Sequence, residues 1–217
     1  MSNRIDIKES DALLKTTRSV RLRLDFEKAV PDGVLKDCIT VALQAPSQTN
    51  TQQWHFVVVT DRGLRERLGD IYRDTFDKYW AESAEKSDGS IENYSGGDRR
   101  MIDSALYLRD NFHKAPAHVL FCATGNLPEM PLFEQASAYG SIMPAAWSFM
   151  LAARSRGLGT CWTSVHLKES QKVADVLNLP DNLTQAVLMP VAYYSGSGFR
   201  EASRLPLDEV LHWNGWE

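Results

Sequence analysis

Apolar positions between Pro31 and Ala45 recur at helical spacing, with Val34, Leu35, Cys38, Ile39 and Ala42 on one face. Pro46 ends that helix, because the residue before a proline avoids the helical region. Trp54 to Val59 is an unbroken β-branched and aromatic run, the pattern of a strand buried on both faces. Asp61 is placed to cap a second helix that turns Leu64, Leu68, Ile71 and Tyr72 inward. Helical spacing returns with Met101, Ala105, Leu108 and Phe112, and Val119 to Ala123 predicts a short buried strand. Thr160 to Val165 and Ala186 to Tyr194 read as strands, with a short helix, Ser170 to Leu177, between them.

Three stretches depart from this alternation. Ser83 to Gly97 contains Ser-Asp-Gly-Ser and Ser-Gly-Gly, turn-forming sequence with little to bury, and predicts a flexible lid or excursion over a site. Gln135 to Arg156 predicts one long helix that is apolar nearly all round, through Ile142, Met143, Ala146, Trp147, Phe149, Met150 and Leu151. Such a helix must be covered on every side, and in a domain this size a second subunit can supply the cover. The tail from Phe199 to Glu217 carries Leu205, Leu207, Val210, Leu211, Trp213 and Trp216, so it is expected to dock on its own or a neighbouring subunit.

Strands and helices mix without clean βαβ alternation, and no Gly-x-Gly-x-x-Gly follows a strand, which disfavours a Rossmann dinucleotide domain. The pattern fits an α+β fold with helices flanking one sheet, in a single domain over residues 1–217. A chain of 217 residues buries roughly 70% or more of its unfolded surface. The net charge of −4 gives no reason to expect nucleic acid or a membrane as partner. Cys38, Cys122 and Cys161 are odd in number and far apart, which indicates neither a disulfide framework nor a zinc site. The histidines form no metal motif, so no metal is expected. Met1 to Asp11 has no apolar signal core, and the longest apolar stretch is too short to span a bilayer; a cytoplasmic location is the expectation.

Four segments carry candidate chemistry. Arg18, Ser19 and Arg21 offer two guanidinium forks beside a hydroxyl, the groups that grip a phosphate, although a solvated basic turn has the same composition. Pro46-Ser47-Gln48-Thr49-Asn50 is polar and amide-rich and is equally an ordinary helix-to-strand turn. Gly157-Leu158-Gly159-Thr160-Cys161-Trp162-Thr163-Ser164 reads as a helix cap followed by a strand. Cys161 invites a reading as nucleophile, but no histidine shares a local motif with it, and a buried strand thiol is the simpler account. Arg204 precedes Leu205-Pro206-Leu207 and by itself is a surface arginine.

Together with Met189-Pro190-Val191-Ala192-Tyr193, these segments resemble the FMN-dependent nitroreductase family, in the family's order and over nearly the whole chain. The resemblance implies a nitroreductase-like fold with a central, mainly antiparallel sheet, and a homodimer with an exchanged C-terminal tail. It implies FMN as cofactor, with Arg18 and Ser19 at the phosphate and Arg21 near the ribityl chain and the N1/O2 edge of the ring. Thr17 stands where many relatives have a first arginine. Pro46, Ser47, Asn50, Gln52 and Trp54 match a family segment that reaches the flavin of the opposite subunit, with Gln53 in place of a usual proline. Trp162, Thr163 and Ser164 match the strand that lies against the isoalloxazine and offers a backbone N–H near N5. Arg204 matches a basic residue that returns to the phosphate. No side chain is expected to be catalytic, because the flavin carries the hydride chemistry. The implied reaction is ping-pong, from NADH or NADPH through FMN to a small, flat, electron-poor acceptor such as a nitroaromatic or quinone. Reductive dehalogenation, flavin fragmentation and a non-catalytic flavin store or sensor remain as alternatives.

Overall fold

A computed structural model of the chain describes residues 5–86 and 96–216. Helix α1 (Ile7–Thr16) is followed by strand β1 (Leu24–Asp25), helix α2 (Asp32–Ala42), strand β2 (Trp54–Val59) and helices α3 (Arg62–Lys86) and α4 (Gly96–Asn111). Strand β3 (Ala117–Thr124), helix α5 (Leu132–Ser155), strand β4 (Leu158–Thr160), helix α6 (Ser170–Leu177) and strand β5 (Leu183–Tyr194) complete the core. All pairings are antiparallel, in the order β1-β5-β3-β2, with β4 also on β5. The expected α+β class and mainly antiparallel sheet are what the chain forms.

Side-chain alternation along β3 divides the interior into two layers. Val119, Phe121 and Ala123 face α2 and α5, where Leu35, Cys38, Ile142, Ala146 and Phe149 meet them. Leu120 and Cys122 face the opposite way, towards Leu68, Tyr72, Phe76 and Leu108 of α3 and α4 and Val173 of α6. A bulge between Phe121 and Cys122 sets Cys122 against Gln185 while Phe121 stays opposite Val187. Ala186 is thereby the extra residue, and both it and Val187 join the α5 layer.

Several elements differ from their sequence pattern, each for a physical reason. The Trp54 to Val59 strand is not buried on both faces: it pairs with β3 alone, so His55 is exposed and Val58 is 38% exposed. An apolar run cannot distinguish a central strand from a sheet edge. Asp61 does cap α3, accepting a hydrogen bond from Leu64 N–H at 2.8 Å, but that helix runs on to Lys86. Ser83 to Lys86 and Gly96 with Gly97 are therefore helical, and residues 87–95 of the expected lid lie outside the described residues. Met101 is 50% exposed and its neighbour Ile102 turns inward instead. The expected strand Thr160 to Val165 stops after Thr160; only a bridge between Thr163 and Leu188 continues it, and Val165–Glu169 winds into a 3-10 turn. Helix α1 was not legible as apolar periodicity, since none of its residues is buried. Its Asp6 cap, accepting from Lys8 and Glu9 N–H, is nevertheless an ordinary helix-start signal.

Two joints set the ends of the site. Val20 N–H donates to the Thr160 carbonyl at 2.7 Å, tying the Thr17 to Arg21 segment alongside β4. Gly159 permits this approach: a Cβ there would lie 3.0 Å from both Val20 Cβ and Leu24 Cδ2. At the other end, Arg23 donates to the Ser195, Gly198 and Ser197 carbonyls at 2.6, 2.9 and 3.2 Å and lies over the Phe199 ring. Beyond this anchor the apolar tail finds no cover within one chain, with Trp213 76% and Trp216 88% exposed. No described helix is long and apolar enough to cross a membrane.

Replacing Gly159 by valine should cost roughly 1–3 kcal/mol by overpacking against Val20 and Leu24. Gly33→Ala, where nothing lies within 4 Å of the new methyl, should be neutral or stabilise helix α2 by up to about 1 kcal/mol. Urea unfolding of both variants tests the contrast; equal stability of wild type and Gly159→Val would show that the joint is not tight.

Candidate flavin site

A cavity of ≈ 360 Å³ opens on the α3 side of the sheet and is lined by Arg21, Tyr72, Phe76, Tyr79, Ala105, Cys161 to Val165 and Lys168. Its walls come from three distant segments. Arg21 arrives through the Val20–Thr160 joint. Tyr72, Phe76 and Tyr79 are spaced i, i+4 and i+7 on α3, so they form one aromatic stripe. The floor is the stretch after β4, where the chain leaves the sheet. Thr163 is buried there, its hydroxyl donating to the Leu188 carbonyl while Leu188 N–H returns a bond to the Thr163 carbonyl at 3.1 Å. That double tie to β5 occupies the side chain of Thr163, while Ser164 remains exposed.

Electrostatics at the floor favour an anion or an electron-rich edge. Among the described residues no carboxylate lines the cavity. Burial pushes the Cys161 thiol up, opposed by the Arg21 charge and by hydrogen bonds from the Ser19 and Arg21 side chains. Cys161 is thus a neutral, buried thiol, as its sequence context suggested, and its sulfur is where Ser19 and Arg21 converge. Arg18 binds the Arg200 carbonyl through Nη2, while its Nε is buried without a partner. A guanidinium N–H of this kind is the group an anionic oxygen would satisfy. At the mouth, Lys168 pairs with Glu82 at 2.6 Å and Lys78 with Glu169 at 2.9 Å, both running between α3 and the 3-10 turn. Exposed pairs of this type contribute little stability but keep the α3 stripe in register with the floor.

Of the residues singled out in the sequence, Arg21, Trp162, Thr163 and Ser164 line this one cavity, and Ser19 touches its floor. Arg18 lies on the same segment and points to the start of the tail. Arg204 is exposed and its side chain donates only to the Ser203 carbonyl at 2.9 Å among the described contacts. Pro46, Ser47 and Asn50 sit elsewhere, on the α5 layer. There Gln48 N–H donates to Ser141 Oγ at 3.0 Å, Ser47 Oγ accepts from Gln52 N–H, and Asn50 Oδ1 accepts from the Gln52 amide. Thr49, Asn50 and Gln52 all have left-handed backbone, with φ of 45°, 57° and 52°. Tyr72, Phe76, Tyr79 and Lys168 were not expected at the site, although the aromatic spacing on α3 was visible; Tyr72 had been assigned wholly to the core.

The fold and this cavity define a class, the α+β flavoprotein oxidoreductases. The nitroreductase family model matches residues 14–193, and the chain belongs to the nitroreductase family. It is 29% identical over 202 residues to a 4-nitrobenzoate reductase of Nocardioides sp. (strain LMS-CY), covering 82% of this chain and 77% of that protein. It is 28% identical over 188 residues to an iodotyrosine deiodinase of Thermotoga neapolitana, covering 83% of this chain and 86% of that one. Among solved structures, an oxidized iodotyrosine deiodinase bound to FMN and 3-iodo-L-tyrosine superposes with a TM-score of 0.70 at 22% identity, over 94% of this chain and 98% of the other. A nitroreductase-like protein from Bacillus cereus gives 0.68 at 20% identity, over 99% and 100%.

Next to the floor, His166 is fully buried and neither ring nitrogen has a partner. Burial lowers its pKa from 6.5 to about 4. Between those values the unfolded chain binds more protons than the folded one. The contribution of a neutral His166 is therefore complete above pH 6.5 and is lost as pH falls towards 4. Between pH 7 and pH 5 this amounts to about 2 kcal/mol. In urea unfolding, wild type should lose about that much more stability over this interval than His166→Leu; parallel pH profiles would show that folding does not lower the His166 pKa.

Proposed function

We propose that this protein is an FMN-dependent oxidoreductase that takes a hydride from NADH or NADPH and delivers electrons, ping-pong, to a flat electron-poor acceptor of the nitroaromatic or quinone type. One observation carries the reading: Arg21 and Trp162 to Ser164, about 140 positions apart in the chain, line one aromatic-walled cavity that has no carboxylate among its described lining residues. The residues present fit FMN. Arg18, with its partnerless buried Nε, and Ser19 would hold the phosphate. Arg21 would face the N1/O2 edge, and the backbone of Trp162 to Ser164 would lie along the ring, offering an N–H towards N5. When bound, FMN supplies the hydride and electron transfer, so the chain's own task is binding, orientation and charge. Arg204 is assigned to the phosphate by its place after β5, a role that requires the exposed tail to fold back.

The second part of the proposal is a homodimer. Leu132 and Phe133 at the start of α5 are 81% and 74% exposed, and Trp147, Leu205, Leu207 and Trp213 are also uncovered in one chain. A partner covering α5 and receiving the exchanged tail would bury them. The Pro46 to Asn50 loop, held in strained conformations on the α5 layer, would then complete the partner's flavin site. Reductive dehalogenation is the second reading, supported by the deiodinase relative at nearly the identity of the nitrobenzoate reductase.

The purified protein should be yellow, release FMN rather than FAD on acid treatment, and bleach with NADH or NADPH. Arg18→Ala and Arg21→Ala should each weaken FMN binding about ten- to a hundredfold, the worth of one charge-assisted hydrogen bond. Flavin fluorescence titration measures this, and a protein that cannot be reconstituted with FMN sinks the proposal. Comparing nitroaromatic, quinone and halophenol turnover separates the two readings.

Light scattering should give a dimer, and deletion of Pro206 to Glu217 should leave a flavin-poor or poorly soluble chain. A flavin-loaded, active monomer would remove the shared-site part of the proposal.

A further inference from the structure

We propose that the Tyr72 hydroxyl is a second hydrogen-bond donor to the pyrimidine edge of the bound flavin, acting beside Arg21 to hold the ring and to set its reduction potential. The inference rests on the FMN reading above and extends it to a residue on α3.

The Tyr72 ring is fixed before any ligand arrives. It is 5% exposed and stacks on the fully buried Phe112, with centroids 4.0 Å apart and planes 11° from parallel. Phe112 in turn packs on His118, whose Nε2 lies 2.9 Å from the Phe112 carbonyl. Tyr72 lines the cavity beside the Arg21 guanidinium and the neutral Cys161 thiol. Burial, with the Cys161 thiol next, drives the phenol well above its ordinary pKa against the opposing pull of Arg21, so it is a protonated donor at neutral pH. The nearby Thr163 hydroxyl is committed to the Leu188 carbonyl, while Arg21 stays in the cavity lining. Among the described residues no hydrogen bond engages the Tyr72 hydroxyl, and it is not among the sealed, partnerless atoms of the interior. A donor at a cavity wall without a protein acceptor bonds water while the cavity is empty, and a bound acceptor can take the place of that water.

Its neighbour Arg21 identifies that group. A cation and a neutral O–H aimed at one spot suit an acceptor edge that becomes more negative, which the N1–C2=O edge of a flavin does on reduction. A neutral donor then strengthens its bond to the reduced form more than to the oxidised form. Phe76 and Tyr79, further along the same helical stripe, extend the wall towards the mouth.

Tyr72→Phe keeps the ring stack and removes only the donor, so the fold should be retained. Oxidised FMN should bind about fivefold more weakly to this variant, in line with one lost hydrogen bond. Reduced FMN should lose about tenfold more than that, which lowers the two-electron midpoint potential by about 30 mV. Fluorescence titration of the apoprotein, dye-equilibrated potentiometry and the melting temperature of the apo form are the readouts. A merely structural hydroxyl would lower the apo melting temperature and leave the potential unmoved. Wild type that binds FMN alongside a Tyr72→Phe variant of unchanged affinity and potential overturns this inference alone. Wild type that binds no FMN overturns the cofactor reading with it.

Discussion

A single backbone hydrogen bond decides where the site is. Val20 N–H to the Thr160 carbonyl, at 2.7 Å, adds the Thr17 to Arg21 segment to the edge of β4. Both guanidiniums proposed for the site depend on that addition, because Arg18 and Arg21 flank the bonded residue on either side. The bond in turn depends on Gly159, whose missing side chain leaves room for Val20 and Leu24. Without that close approach the arginines would be an ordinary basic turn, which is how they read in isolation. The cavity floor depends on the same strand ending early: had β4 continued to Val165 as its composition suggested, its N–H groups would be spent on β5. The bridge at Thr163 instead holds the chain to Leu188 once and then releases it.

The two faces of the sheet have separate tasks. The α3 side carries the cavity, and its aromatic stripe serves both core and wall: Tyr72 packs on Phe112 with its ring and meets Arg21 and Cys161 with its hydroxyl. The α5 side carries the strained Pro46 to Asn50 loop and the apolar surface that one chain leaves open. In the proposed dimer these would be the two halves of a shared site, one receiving the cofactor and one reaching across. Energetic sense points the same way. Left-handed conformations at Thr49, Asn50 and Gln52 are persistently unfavourable for residues with a side chain, so the loop shape is held by Ser141 and its own amides rather than by propensity.

Much of this was legible in the sequence where periodicity and burial coincide. Helix α6 and the limits of β2 agree residue for residue, while α2 begins one residue later, with Pro31 as its cap, and ends at Ala42 in a turn before Pro46. What could not be read was partnership. Val58 looks like a core residue in the chain and is a sheet-edge residue in the fold, because strand order is not written in local composition. Tyr72 looked like core and is also wall, since spacing shows the face a residue occupies but not what lies beyond it. Arg23 passed unnoticed beside Arg18 and Arg21, although it binds three carbonyls at the start of the tail. Local sequence showed three similar cations; only long-range contacts give them different tasks.

Those tasks explain how an acidic chain can present a cationic pocket. Net charge, −4 here, governs long-range behaviour and says nothing about a cleft with low-dielectric walls. Arg23 is spent on backbone carbonyls and on the Phe199 ring, and Arg154 on the Tyr194 hydroxyl and the same Phe199 ring. Lys168 and Lys78 are matched by Glu82 and Glu169. Among the described residues Arg18 and Arg21 have no carboxylate partner, one with a buried unbonded Nε and the other against a neutral thiol. Partly buried guanidiniums without counter-charge are unfavourable in the empty fold and are relieved by an anion. The free energy withheld from folding at this point is therefore available to binding an anion, and under the proposed function it would tie cofactor retention to the two arginines that the joint at Gly159 brings into place.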